Sequence, residues 1–231
     1  MGYYILYYIF NPINRVLFLY YLLRHYDIIR IGDYMLMEIS NLSASYGKNL
    51  ILNSIYFTIE KGQSICILGE NGCGKSTLLK SICGLKKYSG EIKYSDSLKI
   101  YYLPQDNVLI EDINVYDNIK LFLNNTSDIK NNKYIKLFEI DKIFKNKVSS
   151  LSGGTKKKVS LCLSLMEDND LLILDEPFAN LDSKNKSLFL DIFKTKKLNG
   201  LSILYTSHLN DMSAASDIKL YLKDGKLEVM V

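Results

Sequence analysis

Gly69-Glu-Asn-Gly-Cys-Gly-Lys-Ser-Thr77 follows the short apolar run Ser64-Ile-Cys-Ile-Leu68 and leads into Leu78-Leu-Lys-Ser-Ile82. The stretch fits G-x-x-x-x-G-K-[ST]. Its setting, between a buried strand and a helix expected from Lys75 to about Cys83, is the one in which that pattern carries chemistry. The glycines let the backbone curl, so that the successive N–H groups of Gly69, Glu70, Asn71, Gly72, Cys73 and Gly74, continuing into Lys75, Ser76 and Thr77, turn inward on an anion. The helix that starts here adds the positive end of its dipole. Lys75 is then placed to reach terminal phosphates, and the Ser76 hydroxyl to ligate Mg²⁺.

Leu171-Leu-Ile-Leu-Asp-Glu-Pro177 supplies the other half of such a site. Four apolar residues in a row suit a strand buried on both faces of a parallel sheet. Asp175 then stands at the sheet's carboxyl edge, where ligands bind in such folds, as an expected metal ligand, and Glu176 beside it can polarise an attacking water. Ser202-Ile-Leu-Tyr205 reads as another buried strand, and Lys219–Leu222 and Lys226–Val229 as a pair around Asp224-Gly225. Glu38–Leu42 and Leu50–Ile59 are strand-like, and Gly90–Tyr94 with Leu98–Leu103 reads as a hairpin. Asn114 to about Lys147 is expected to be helical, with further helices from Ser152 and over Ser183–Lys194. Strands alternating with helices imply an α/β fold with a mainly parallel sheet, that of a P-loop nucleoside triphosphatase.

The residues around these two motifs narrow the reading. Leu151-Ser-Gly-Gly-Thr155, ahead of a helix, resembles the signature sequence of the ATP-binding cassette family. Gln105 in Leu103-Pro-Gln-Asp106 resembles that family's Q-loop, Ala179-Asn-Leu-Asp182 its D-loop, and Thr206-Ser-His208 its switch histidine. Tyr46 occupies the place of the aromatic residue that stacks on adenine. The resemblance runs from Met37 to Val231 in the expected order, and it implies an N-terminal antiparallel β subdomain and a short helical subdomain, about residues 106–168, carrying the signature. It further implies ATP and Mg²⁺ as cofactors, with Lys75, Glu176 and His208 in catalysis and Ser76, Gln105 and Asp175 on the metal. Ser152, Gly153 and Gly154 open a helix, so their N–H groups form a second anion cradle. The resemblance implies a head-to-tail pair of ATPase subunits, each ATP held by the phosphate loop of one and the signature and Asp182 region of the other. Thr155 departs from the family's usual glutamine. Lys156-Lys-Lys158 reads as a solvated helix face, Lys158 standing where the family often has arginine.

The spacing from Lys75 to Leu151 leaves no room for a long coiled-coil insertion, and the chain carries a single cassette. Asn114-Val-Tyr-Asp-Asn118 resembles the stretch that meets the coupling helix of a membrane subunit. The expected function is the ATP-hydrolysing subunit of a transporter, peripheral on the cytoplasmic face of the membrane and driving a separate integral permease. The short helical segment leans toward a small exporter-type system. The alternative is a soluble cassette ATPase with an assembly role, such as iron–sulfur cluster biogenesis.

Composition agrees with one globular domain. The chain has 231 residues, 48% hydrophobic and 23% charged, with a net charge of +4. So small and dispersed an excess gives no sign of a nucleic-acid partner. The four cysteines, Cys66, Cys73, Cys83 and Cys162, lack C-x-x-C spacing and read as reduced, mostly buried thiols; with only His25 and His208, a histidine-built metal site is not expected. Residues 1–36 form an atypical extension: the three arginines, Arg15, Arg24 and Arg30, all lie there, and every lysine is at Lys48 or later. Tyr3–Leu23 is long enough to span a bilayer, but Arg15, Asn11, Asn14 and Pro12 offset its apolar residues. The compositional break favours translation starting at Met35 or Met37 over an interfacial aromatic segment.

Overall fold

The computed structural model describes residues 35–124, 126, 128–208 and 216–230. Residues 1–34 of the N-terminal extension lie outside this range, whereas Met35 and Met37, the alternative starts, lie within it. Among the described residues, nine strands fall in two sheets. The first has the order β2-β1-β4, from β1 (Met35–Tyr46), β2 (Asn49–Glu60) and β4 (Ser89–Tyr94). The second has the order β5-β6-β7-β3-β8-β9, from β3 (Ser64–Leu68), β5 (Ile100–Leu103), β6 (Leu171–Leu174), β7 (Ser202–Ser207), β8 (Ile218–Lys223) and β9 (Lys226–Val229). Strands β5 to β8 run parallel and β9 returns antiparallel against β8.

The hairpin expected over Gly90–Leu103 does not form. β4 pairs antiparallel with β1, Met37 opposite Tyr94, whereas β5 pairs parallel with β6, Ile100 opposite Leu171. The two runs are near in sequence but belong to different sheets, because each pairs with a strand distant in sequence, β4 with β1 and β5 with the fully buried β6.

Successive strand residues face opposite sides, and this divides the interior into two cores. Ile65, Ile67, Leu171, Ile173 and Leu204 join Leu78, Leu79 and Ile82 of α1 (Lys75–Ile82) and the buried residues of β1 and β2. Cys66, Leu68, Leu172, Leu174 and Ile203 join Leu161 and Leu165 of α4 (Gly153–Met166) and Phe189 and Phe193 of α5 (Ser183–Leu198). Full burial of β3, β6 and β7 explains their unbroken apolar runs.

The Asn- and Lys-rich middle is less helical than expected. Its described residues hold α2 (Val115–Phe122), α3 (Lys133–Leu137) and two short 3₁₀ turns, with a third at Val148–Ser150 just beyond. Phe138 stacks on Phe189 of α5 with ring centroids 4.0 Å apart, which fastens this segment to the second core. Among the described residues no helix is long and apolar enough to cross a membrane.

Asp217 ties the start of β8 to β3: its carboxylate accepts from the Ser64 N–H at 2.8 Å, the Ser64 hydroxyl at 3.0 Å and Lys197 Nζ at 2.6 Å. Burial pulls the carboxyl upward, but Lys197 and the Ser64 donors outweigh it and hold Asp217 below its ordinary range. A depressed folded value contributes stability that is present above the unfolded value, about pH 4, and is lost as pH falls through the folded one. Asp217→Asn is therefore expected to lower the urea midpoint at pH 7. The difference from the native chain should shrink below about pH 4.

Candidate nucleotide site

The strand order β5-β6-β7-β3 lines up four carboxyl ends. Beyond them lie Gln105, Asp175-Glu176, His208 and the loop after Leu68, so residues scattered over 140 positions of sequence share one sheet edge. An open cleft of about 410 Å³ is bordered there by Gly69, Glu70, Asn71 and His208, with Tyr221 and Met230 behind.

Lys75 is the hub. Its side chain is 5% exposed, and its ammonium donates to the carbonyl oxygens of Gly69 at 2.9 Å and Glu70 at 3.0 Å. It lies 3.8 Å from Glu176 Oε1. His208 Nε2 contacts the same carboxylate oxygen. His208 Nδ1 stands 3.1 Å from the Gly69 carbonyl and 3.2 Å from Lys75 Nζ, so the tautomer decides which of the two it serves. Gln105 Nε2 donates to Glu176 Oε2 at 3.1 Å. The carboxylate of Glu176 is thus held on both oxygens by the groups singled out in sequence.

Glu176 has φ +46°, a strained setting for a side-chain-bearing residue, in keeping with a functional position. Thr206, to which sequence reasoning gave no role, supports it. The Thr206 hydroxyl accepts from the Glu176 N–H at 2.8 Å and donates to Asp175 Oδ1 at 2.7 Å. The available signal was a hydroxyl residue two places before His208, at the end of an apolar strand. Asp175 is 1% exposed, and its N–H is bonded to the Leu103 carbonyl, which locks β6 to β5.

Gly74 precedes α1 with φ +110°, and a Cβ there would stand 2.8 Å from Ile51 Cγ2, so the loop can enter its helix only with glycine at this point. Ser76, Gln105 and Asp175 offer oxygen donors of the kind Mg²⁺ takes. Among the described residues no group of three His, Cys, Asp or Glu side chains could cage a metal.

Other predicted residues lie apart from this cluster. Tyr46 is half exposed and carries Lys86 Nζ 3.4 Å from its ring centroid. Ser152 caps α4, its hydroxyl accepting from the Thr155 N–H at 3.2 Å and lying 2.9 Å from Thr155 Oγ1, so the unusual threonine completes the cap. Asp182 caps α5 and is held below the ordinary carboxylate range by the Asn185 amides. The lysine run is not a solvated face: Lys156 pairs with Glu111 at 2.6 Å and Lys157 donates to the Gln105 carbonyl at 3.0 Å. Burial lowers the Lys157 ammonium, while Asp175, Glu176 and Asp106 pull it back up. Of the cysteines, Cys66 and Cys162 are buried, Cys73 and Cys83 only partly, and all are free.

A Cβ on Gly154 would stand 2.4 Å from the Asn180 carbonyl oxygen, whereas one on Gly153 meets nothing within 4 Å. Helix propensity alone favours alanine at either place by up to about 1 kcal/mol. Gly153→Ala is therefore expected to raise the melting temperature slightly, and Gly154→Ala to lower it by forcing the signature turn away from residue 180. Thermal denaturation of the two variants side by side checks this; equal shifts would remove the claimed contact.

A family model described as ABC transporter matches residues 52–179. The zinc import ATP-binding protein ZnuC of Wolbachia pipientis wMel is 38% identical over 191 residues, 78% of this chain and 77% of that protein. The phosphonates import ATP-binding protein PhnC of Fusobacterium nucleatum is 34% identical over 223 residues, covering 83% of this chain and 90% of that one. A solved ATP binding subunit of an ABC transporter has the same fold, with a TM-score of 0.76 at 24% identity over 83% of this chain and 88% of that one. A post-hydrolysis ATP-binding cassette dimer bound to ADP and Pi follows at 0.73 and 22% identity, over 83% and 96%.

Proposed function

Because the chain belongs to the ABC transporter family of ATPases, as an ATP-binding and hydrolysing subunit, we propose that the cluster around Glu176 is its hydrolytic centre. The observation that carries the proposal is the convergence of Lys75, Gln105 and His208 on the two oxygens of one carboxylate at the mouth of the phosphate loop. The loop N–H groups from Gly69 to Thr77 and the start of α1 receive the phosphates. Lys75 turns its ammonium from the loop carbonyls to the terminal phosphate oxygens. Glu176 takes the proton of the attacking water, and His208 and Gln105 hold that water and the terminal phosphate in register. Ser76, Gln105 and Asp175 would hold Mg²⁺, whose chemistry is to neutralise charge on the phosphate oxygens. Tyr46 stacks on adenine once Lys86 leaves its face.

The cap turn Ser152–Gly154 and Asp182 make none of the described contacts of this cluster, which supports a second copy or a related chain supplying them in a head-to-tail pair. ATP then holds the pair together and hydrolysis releases it. The separate partner is an integral permease, to which Ile110, Leu121 and Phe122, all exposed, offer an apolar surface beside α2. On this reading the chain sits peripherally on the cytoplasmic face of the membrane. Its relatives, named as zinc import and phosphonates import proteins, favour import of a small solute over the export to which the short helical segment pointed.

Gentle solubilisation of membranes containing the tagged full chain, followed by identification of what co-purifies, tests the assignment. A stoichiometric polytopic membrane protein is expected. Recovery from the soluble fraction alone, with a soluble partner, would return the assembly-ATPase reading.

A further inference from the structure

We propose that Lys157 is a positioning residue for hydrolysis, tethering the Gln105 loop to α4 and thereby setting the Gln105–Glu176 hydrogen bond. The inference rests on the hydrolytic role given above to Glu176. Three consecutive residues of a helix point about 100° apart. Lys156 takes Glu111 at 2.6 Å, while Lys157 turns inward and donates to the Gln105 carbonyl at 3.0 Å, across 52 residues of sequence. The Gln105 side chain continues the line to Glu176 Oε2 at 3.1 Å. A path of two hydrogen bonds therefore joins the helix that Ser152 caps to the carboxylate that handles water.

The choice of partner is informative. A lysine ammonium on a flexible stem reaches a solvated carboxylate more readily than a backbone carbonyl, and Glu111 is already within reach of its neighbour. Lys157 is instead half buried on the side of Asp106, Asp175 and Glu176, whose negative charge offsets part of the cost of burying its ammonium. The Gln105 carbonyl gives it a fixed seat there. Holding the loop backbone at this point restricts the directions in which the Gln105 amide can reach. Loss of the tether leaves the phosphate loop with Ser76, Asp175 and the adenine face untouched, so it affects the turnover step more than nucleotide capture.

The test uses the full chain, with steady-state ATP hydrolysis and thermal melting measured for K157M, K157R and, in parallel, E176Q. K157M keeps stem length without charge or donor and is expected to lower kcat about three- to tenfold, with KM and melting temperature near native. K157R retains charge and donor and is expected to recover most of the lost kcat. An unchanged kcat in K157M overturns the proposal. So does a joint fall of kcat, KM quality and melting temperature that arginine does not restore, since that pattern marks a merely structural contact. If K157M does not fold, Lys157→Gln is read by the same criteria. Full turnover in E176Q removes the hydrolytic assignment itself and the inference with it, whereas a dead E176Q beside a fully active K157M overturns only the tether.

Discussion

Glu176→Gln is expected to reduce ATP turnover by about 10²- to 10⁴-fold while leaving ATP binding intact. Glutamine keeps the size of the side chain and a carbonyl oxygen for the Gln105 amide, but it cannot accept a proton from water at neutral pH. The left-handed backbone at this position and the hydroxyl of Thr206 beneath it are unaffected by the change, so the loss isolates the carboxylate. Phosphate release gives the rate, and equilibrium titration with an ATP analogue gives the affinity. Hydrolysis at the native rate would take the base role from Glu176 and leave the cluster without an identified proton acceptor.

Lys75→Met is expected to act on the other term, weakening ATP binding by roughly 10- to 150-fold, the range that corresponds to losing a charge-assisted hydrogen bond of about 1.5–3 kcal/mol. Methionine retains an apolar stem in this buried position but returns no donor to the Gly69 and Glu70 carbonyls. The variant also leaves Glu176 with His208 and Gln105 as its neighbours. Calorimetric titration with Mg-ATP measures the change, and far-ultraviolet dichroism verifies that the variant is folded. Native affinity in a folded variant would exclude Lys75 as a phosphate donor.

Much of this architecture was legible in the chain. The strands Ser64–Leu68, Leu171–Leu174 and Ser202–Ser207 are buried on both faces, so apolar runs identify them without reference to the rest of the protein. The catalytic candidates were legible for a related reason: each follows one of these runs, and the ends of parallel strands collect at one edge. Sheet membership was not legible for Gly90–Tyr94 and Leu98–Leu103. Two β-rich runs a few residues apart carry the same local pattern whether they pair with each other or with distant strands, and here β1 and β6 take them separately. The lysine run failed for a different reason. Charge content describes the segment as a whole, but a helix sends adjacent residues in different directions, and only the surroundings distinguish Lys157 from Lys156. Thr206 escaped notice because a buried threonine at a strand end differs from a packing residue only by what its hydroxyl meets.

The position of β3 has a consequence for how the molecule breathes. Its backbone is paired on both sides, with β7 and β8, and every one of its residues is buried, so the amide hydrogens there have no local route to solvent and exchange through global opening. The phosphate loop is the direct continuation of that strand. A nucleotide held by the loop is therefore linked to global unfolding, and it slows exchange in β3, β7 and β8 by the same factor by which it raises overall stability. The exposed residues of the 3₁₀ turns at Ile129–Asn131 and Ile140–Ile143 are expected to exchange through local opening and not to share that factor. Occupancy of the cleft is thus registered most strongly in the most deeply buried amides.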